Sequence, residues 1–350
     1  MFVTGHTGFK GAWLSLWLQA LGAEVTGAAP GVPTRPSLYE LAGVAAHMHD
    51  EYEVDVRDER ALRDALASAR PEVVLHLAAQ PMVRRSLHDP LSTFAINVMG
   101  TVNLLEAVRQ AGGEVRAVVV VTSDKCYENP GGGVRAFVEG DSLGGSDPYS
   151  SSKACAELVT SAYRRSFFSG EGPPWLGSAR AGNVIGGGDW GEDRLVADAV
   201  RAVESGGSLR VRNPHAVRPW QHVLSPLAGY LLLAQALSRG PAASRAWNFG
   251  PRQADAQPVG WVVQRLAELW EGELGWRIDE RANPPEADHL ALDSRDAERE
   301  LDWRPACDLD AALGLVVAWH RALRDGEDMR QVSLAQIDRM VELKRQVGSN

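Results

Sequence analysis

Thr122-Ser123-Asp124-Lys125 sets two hydroxyls, a carboxyl and an amine side by side, directly after the apolar run Ala117–Val121. A carboxyl next to a lysine can be a surface ion pair closing a strand, or the two groups can divide acid and base work. The second use needs an acid that keeps its proton and a lysine that gives its proton up. At its reference pKa the neutral amine lies about 4.6 kcal/mol uphill at pH 7. Burial near a second cation, for which Lys153 is the candidate, lowers that cost, whereas a guanidinium cannot be tuned so far. The chain carries 32 arginines and four lysines, Lys10, Lys125, Lys153 and Lys344. Where a bare positive charge suffices this sequence uses arginine, so Lys125 marks a position with another demand. Two roles stay open for it: a neutral base, or a cation that stabilises developing negative charge.

Two further groupings bear on the same chemistry. In "PYSSSK", Tyr149 and Lys153 stand four residues apart, on one face of a helix. An ammonium beside a phenol lowers the phenol's pKa toward neutrality. Such a phenol can exchange a proton with a substrate hydroxyl while hydride moves. In "VTGHTGFKG", Gly5, Gly8 and Gly11 form a Gly-rich turn between a strand and a helix, the setting for a dinucleotide pyrophosphate at a helix N-terminus. The acid expected about 20 residues further on is missing. Gly31 stands near that position and Arg35 just beyond it, which leaves NAD and NADP both open. Asp55, in "VDVRD", suits the adenine edge.

The elements that must position these groups alternate. "FVTG", "AEVTGAA", a strand-like stretch before "VDVRD", "EVVLHLAA" and "AVVVVTS" read as strands. Between them, "GAWLSLWLQALG", 62–69, 98–111 and 149–168 read as helices. Apolar strands separated by helices predict a doubly wound parallel α/β sheet, the Rossmann architecture, with ligands at the carboxyl ends of its strands. Ser123-Asp124-Lys125 falls at such an end. After residue 182 the pattern becomes mixed, with a Gly-rich loop at 186–193, helices at 227–238, 257–270 and 309–323, and "AWNFGP" as a last sheet strand. The expected division is a dinucleotide-binding domain at 1–182 and 222–250, and a smaller, discontinuous substrate-binding subdomain at 183–221 and 251–350.

Composition bounds the partners. A net charge of −9 disfavours phosphate backbones, so no nucleic acid is expected, and an anionic ligand needs local arginines. Cys126, Cys155 and Cys307 have neither paired nor metal-like spacing, which predicts no metal, no disulfide framework and a reducing, cytoplasmic setting. No leader precedes the first strand, and apolar runs such as 230–237 are too short to cross a bilayer, so no membrane is expected.

These features are those of the extended short-chain dehydrogenase/reductase superfamily, and the chain closely resembles one family within it, the CDP-glucose 4,6-dehydratases. The resemblance lies in "TGHTGFKGAWLSLWL", "HLAAQPMVRRS", "INVMGTVNLLE", "VTSDKCYEN", "DPYSSSKACAEL", "RAGNVIGGGDWGEDRLVAD", "RPWQHVLSPLAGY" and "WNFGP", in that family's order, and in the tail "LALDSRDAERELDWRPACDLDAAL". It implies catalytic roles for Ser123, Asp124, Lys125, Tyr149 and Lys153. Tyr149 would take the 4-hydroxyl proton, Ser123 orient the 4-oxygen, Asp124 protonate the departing 6-hydroxyl, and Lys125 act at C5 as base or as a cation on the enolate. It implies NAD held by Gly5, Gly8, Phe9, Lys10, Gly11, Asp55, Val56, Leu77, Ala78, Ala79, Asn97 and Thr122 together with Tyr149 and Lys153. For the substrate, CDP-glucose, it implies Asn183, Arg194 and Arg218, then Arg212 and His289; Gln80 and Arg84 lie at the same sheet edge, within reach of the sugar. It also implies a homodimer or larger, paired through helices 98–111 and 149–168. Ser151 departs from the Asn usual in that block, and relatives carry additional residues ahead of Met1, which leaves a truncated start open. A nucleotide-sugar epimerase or reductase needs Tyr149 and Lys153 but not Asp124-Lys125. A non-catalytic dinucleotide-binding protein has no need of Ser123, Tyr149 and Lys153 together.

Overall fold

The computed structural model describes residues 1–111, 114–131, 135–170, 172, 174–279 and 290–347. Seven strands form one sheet: β1 (Phe2–Thr4), β2 (Thr26–Ala29), β3 (Asp50–Glu53), β4 (Val73–His76), β5 (Ala117–Val121), β6 (Trp175–Arg180) and β7 (Ala246–Asn248). Their order is β7-β6-β5-β4-β1-β2-β3, and every neighbouring pair is parallel. The chain winds outward from β1 to β3, then returns to β4 and winds the other way. That reversal opens a crevice above the carboxyl ends of β1 and β4. The edge strand β3 blunts itself with Asp50, Glu51 and Glu53, all exposed.

Alternation along β5 shows why the strand is a continuous apolar run. Val119 and Val121 point into a core with Trp13, Leu16 and Leu227, while Val118 and Val120 point into another with Leu62, Leu104 and Leu105. The first core is covered by helices α1 (Phe9–Ala20) and α6 (Leu224–Arg239). The second is covered by α2 (Glu59–Ala69), α3 (Gly100–Ala111) and α4 (Pro148–Ser166). Asp58 and Asp147 cap α2 and α4 by accepting from Ala61 N and Ser150 N, and Pro148 sits at the first position of α4, where its missing N–H costs nothing.

A third core lies beyond the sheet. Helices α5 (Leu195–Glu204), α7 (Val259–Leu269) and α8 (Leu309–Arg324) enclose Val196, Leu209, Trp220, Val263, Leu266 and Leu313. Stretch 251–350 divides its packing: Ala297, Leu301, Trp303 and, on α9 (Met329–Val347), Ile337 and Met340 join the α1/α6 core. Helix α3 is preceded without interruption by Pro90–Phe94 and a π-turn at Ala95–Met99, so the helix begins eight residues before the start at 98 that periodicity predicts. Polar Asn97 breaks the apolar pattern there. The whole Pro90–Ala111 helix is long and apolar enough, by length and composition, to cross a membrane, and half of its most apolar window is buried inside the protein.

Candidate active site

The Gly-rich turn leaves β1 in a conformation that only glycine fits. Gly5 has φ +71°, and a Cβ there would lie 2.8 Å from Ala78 N. A Cβ on Gly11 would lie 2.1 Å from Gly5 O, so the turn and the first coil of α1 close on each other. Gly8 precedes the helix with no side chain over its free N–H groups. This is a cradle for a pyrophosphate. Leu77, Ala78 and Ala79 form the adjoining tip of β4, where Ala78 N donates to Thr4 Oγ1 at 3.2 Å. Past β2, Gly31 adopts φ +126° with open space around it, and Arg35 reaches outward to Glu40. Asp55 is forked by Arg57 at 2.6–3.0 Å, which holds its carboxyl below the usual range. Val56 O accepts from Asn103 Nδ2 at 2.9 Å.

Asn97 sits inside the π-turn, a device that re-aims side chains at functional sites. Its Nδ2 donates to Gln80 O at 3.1 Å and Ser152 Oγ at 2.8 Å, and Gln80 N donates to its Oδ1 at 2.8 Å. Asn97 thus ties the loop after β4 to α4. Gln80 itself is buried and turned inward: its amide bonds Thr93 Oγ1 at 2.9 Å and both Met82 O and Met82 N. It shapes this loop.

At the tip of β5, Asp124–Cys126 makes a single 3₁₀ turn. Ser123 Oγ donates to Asp124 Oδ1 at 2.9 Å and accepts from Lys125 N at 3.2 Å. Asp124 is 2% exposed, and its Oδ2 is buried with no hydrogen-bond partner. Burial raises the Asp124 pKa, against the pull of Lys125, Ser123, Lys10 and Arg218. A Cβ on Gly182 would stand 2.6 Å from Oδ2, so the absent side chain is what leaves room for that oxygen. Lys125 is half-buried.

Tyr149 and Lys153 come up from α4 beside this turn. The sequence expectation that Lys153 lowers the Tyr149 pKa does not hold here. Burial pushes Tyr149 up to about 12, and the group drawing it down most is Ser123, as a hydrogen-bond partner. Lys153 instead donates to Val121 O at 3.3 Å, and burial lowers its own pKa to about 8. One turn further along α4, buried Glu157 accepts from Thr122 Oγ1 at 2.5 Å, Ser178 Oγ at 2.8 Å and Arg180 Nη2 at 2.8 Å. Arg180 in turn donates to Tyr127 Oη at 2.8 Å, which donates to Asn248 Oδ1 at 2.7 Å. This network under the catalytic tip was not anticipated; its one sequence signal is the spacing of Glu157 from Lys153.

Lys10, expected at the cofactor, also faces the acid. Its Nζ donates to Tyr230 Oη at 3.3 Å, and burial, with the charges of Lys153 and Arg194, lowers its pKa to about 7. Two of the four lysines, Lys10 and Lys125, therefore act on Asp124. Arg194 lies near enough to act on Tyr149 and Lys10, and is held bidentate by Asp189 at 2.9 and 2.8 Å. Arg218 is buried near Asp124 and donates to Val217 O at 3.0 Å. Arg84 and Arg212 meet from two sides on Asp193, at 3.4 and 3.1 Å. Asn183 O accepts from Gln221 N at 3.1 Å, beside the short parallel pairing of Val184–Ile185 with Gln221–His222. His289 lies outside the described residues.

The family model for GDP-mannose 4,6 dehydratase matches residues 2–314. The chain belongs to that family. Within reach of it, a curated CDP-glucose 4,6-dehydratase from Salmonella typhimurium is 49% identical over 337 residues, covering 94% of this chain and 92% of the relative. Among solved structures, the family fold recurs in the dTDP-glucose 4,6-dehydratase of Streptomyces venezuelae with NAD bound. That structure has a TM-score of 0.75 and 25% identity, covering 94% of this chain and 99% of that one. The UDP-glucose 4-epimerase of Thermus thermophilus in complex with NAD superposes with TM-score 0.78 at 25% identity, over 91% of this chain and 98% of that one.

Proposed function

We propose that this protein is a CDP-glucose 4,6-dehydratase that converts CDP-D-glucose to CDP-4-keto-6-deoxy-D-glucose with bound NAD. The observation that carries the reading is the buried, unpartnered Oδ2 of Asp124 beside Lys125, an acid and an amine for which an epimerase or reductase has no use. The 49% identity to the Salmonella relative supports cytosine and glucose as the substrate's parts. The NAD complexes among structures of this architecture support NAD.

The glycine cradle and the Leu77–Ala79 tip would hold NAD, which when bound supplies the hydride acceptor for C4 and the donor for C6. Tyr149 takes the 4-hydroxyl proton in its tyrosinate form, which the nearby Arg194 charge favours, with Ser123 beside it, while Lys153 fixes the floor of the site at Val121 O. The 4-ketone acidifies C5. Lys125 takes the C5 proton. Asp124, kept protonated by burial, gives its proton from Oδ2 to the 6-oxygen, which leaves as water. Arg194, Arg212, Arg218 and Arg84 line the approach for the diphosphate, with Asn183 beside them.

Exposed apolar residues on two neighbouring helical surfaces support a homodimer: Leu87, Leu91, Phe94 and Met99 on one side, Leu158 and Phe167 on the other. Three unpaired cysteines fit a cytoplasmic setting. The test is incubation of the protein with CDP-glucose and NAD in deuterated water. The expected product is the 4-keto-6-deoxy sugar with deuterium at C5. Turnover of dTDP-glucose or UDP-glucose but not CDP-glucose would sink the cytosine assignment.

A further inference from the structure

The proposed elimination, on which this inference rests, needs Asp124 and Lys125 aimed at two different atoms, the 6-oxygen and C5. Both stand on a turn of three residues. Among the described residues no side chain hydrogen-bonds the Lys125 amine, so its bearing is set by the backbone on either side of it. The upstream side is held by the sheet and by Ser123. Asp124 N donates to Ala181 O at 3.2 Å, and Lys125 N to Ser123 Oγ at 3.2 Å. On the downstream side Gly144 N donates to Cys126 O at 2.9 Å, and buried Cys126 packs with Ala154 of α4 and with Leu292.

Tyr127 comes next, and it is gripped on every side. It is buried, its ring stacks on Phe137 with centroids 4.9 Å apart and planes 8° from parallel, and the Arg180 guanidinium lies 4.9 Å from its centroid. Its hydroxyl accepts from Arg180 Nη1 at 2.8 Å and donates to Asn248 Oδ1 at 2.7 Å. Arg180 ends β6 and Asn248 ends β7, so the phenol ties the turn after β5 to the tips of the next two strands of the sheet. Asn248 has one orientation. Its Nδ2 donates to Phe137 O at 2.9 Å and Asp293 O at 3.1 Å, which leaves Oδ1 as the acceptor for the phenol. A ring needed for bulk alone would be served as well by phenylalanine.

We infer that Tyr127 is a positioning residue for the elimination step, fixing the bearing of Lys125 two residues before it. The groups that serve C4 oxidation are held elsewhere. Tyr149 and Lys153 stand on α4, and Lys153 is bonded to Val121 O. Asp124 keeps its own bonds to Ala181 O and Ser123. Arg180 keeps Glu157 at 2.8 Å and Glu139 O at 3.0 Å whether or not the phenol is there. Loss of the Tyr127 hydroxyl should therefore separate the two halves of the reaction: oxidation persists, and proton removal at C5 loses its aim.

The test compares wild type, Tyr127→Phe and Phe137→Leu, each equilibrated with NAD and mixed rapidly with CDP-glucose in deuterated water. Reduced cofactor is followed by absorbance, and quenched samples are read for 4-keto-6-deoxy product and for deuterium at C5. Tyr127→Phe keeps the ring and removes both hydroxyl bonds. Its C4 oxidation should keep the wild-type rate, while elimination falls by up to about 10²-fold, the scale of a misplacement of about 1 Å. Reduced cofactor should then accumulate, and C5 deuteration should slow in step with product. Phe137→Leu, which keeps both bonds and loses the stacking, should shift the same balance by a smaller factor. Should Tyr127→Phe fail to fold, Phe137→Leu is read by the same criterion. If oxidation and elimination slow by one common factor, or elimination does not slow, Tyr127 serves the fold alone and the inference is wrong. Absence of product from wild type would instead remove the dehydratase reading itself.

Discussion

Glu157→Gln is expected to destabilise the protein by about 3–5 kcal/mol, the cost of leaving one member of a buried ion pair alone. Glu157 and Arg180 are 3% and 4% exposed along their side chains and meet at 2.8 Å. Burial opposes ionisation of Glu157, yet the Arg180 charge and the bonds from Arg180, Thr122 and Ser178 outweigh it and hold its pKa below the ordinary value. Glutamine keeps the shape but removes the charge and turns one acceptor into a donor that faces donors. Arg180 Nε already lacks a partner, so nothing nearby compensates. With an unfolding entropy of about 2.1 cal/mol/K per residue, the loss corresponds to a fall of about 4–7 °C in Tm. The assay is urea and thermal unfolding at pH 7, repeated for Glu157→Leu combined with Arg180→Met, which should recover most of the loss. The sign with pH follows. Because the folded pKa is depressed, the pair's contribution is present above the unfolded glutamate range and disappears as pH falls through the folded value. A Glu157→Gln protein within about 1 kcal/mol of wild type, as for a surface bridge, would refute the reasoning. So would a double variant as unstable as the sum of the two singles.

Asp124→Asn should still oxidise C4, so reduced cofactor accumulates by absorbance, while 4-keto-6-deoxy product falls about 10²–10⁴-fold. Lys125→Arg should lose dehydration on the same product assay; retained dehydration would replace the base role with a cationic one. Gly11→Ala places a Cβ 2.1 Å from Gly5 O and should abolish NAD binding measured by calorimetry. His76 and His222 are held neutral by burial, each pushed down to about 3. Between the ordinary histidine pKa of about 6.5 and about 3, the unfolded chain takes up protons the folded one refuses. Stability should therefore fall on acidification through that window by about 1.4 kcal/mol per pH unit for each histidine. Urea midpoints across the range check this, and His222→Asn should flatten the slope.

What could be read from the sequence was local. The run Ala117–Val121 and the turn at Gly5–Gly11 specify their own conformations, so a parallel sheet with a cofactor cradle and an acid at a strand tip followed directly. Tyr149 stands on α4 beside the strand tip, but burial, a property of everything packed around it, raises its pKa where the spacing from Lys153 predicts a fall. Gln80 looked available from its position after β4, but Thr93 and Met82, brought over it by the turn into the Pro90 helix, occupy its amide. Lys10 and Tyr230 are 220 residues apart, and Arg84 lies 109 residues from Asp193. Contacts of that span exist only once the topology is fixed.

The ladder that holds β5 ends where the chemistry begins. Thr122 N and Asp124 N still donate to Ala179 O and Ala181 O, at 2.9 and 3.2 Å, through backbone atoms that any residue possesses. The valines before them lock the strand from both faces, whereas Lys125, after it, belongs to neither core. The sheet therefore behaves as a socket. The side chains of Ser123, Asp124 and Lys125 can be exchanged during evolution while the core residues stay as they are. A single scaffold can then carry the dehydratase and epimerase activities named among its structural relatives.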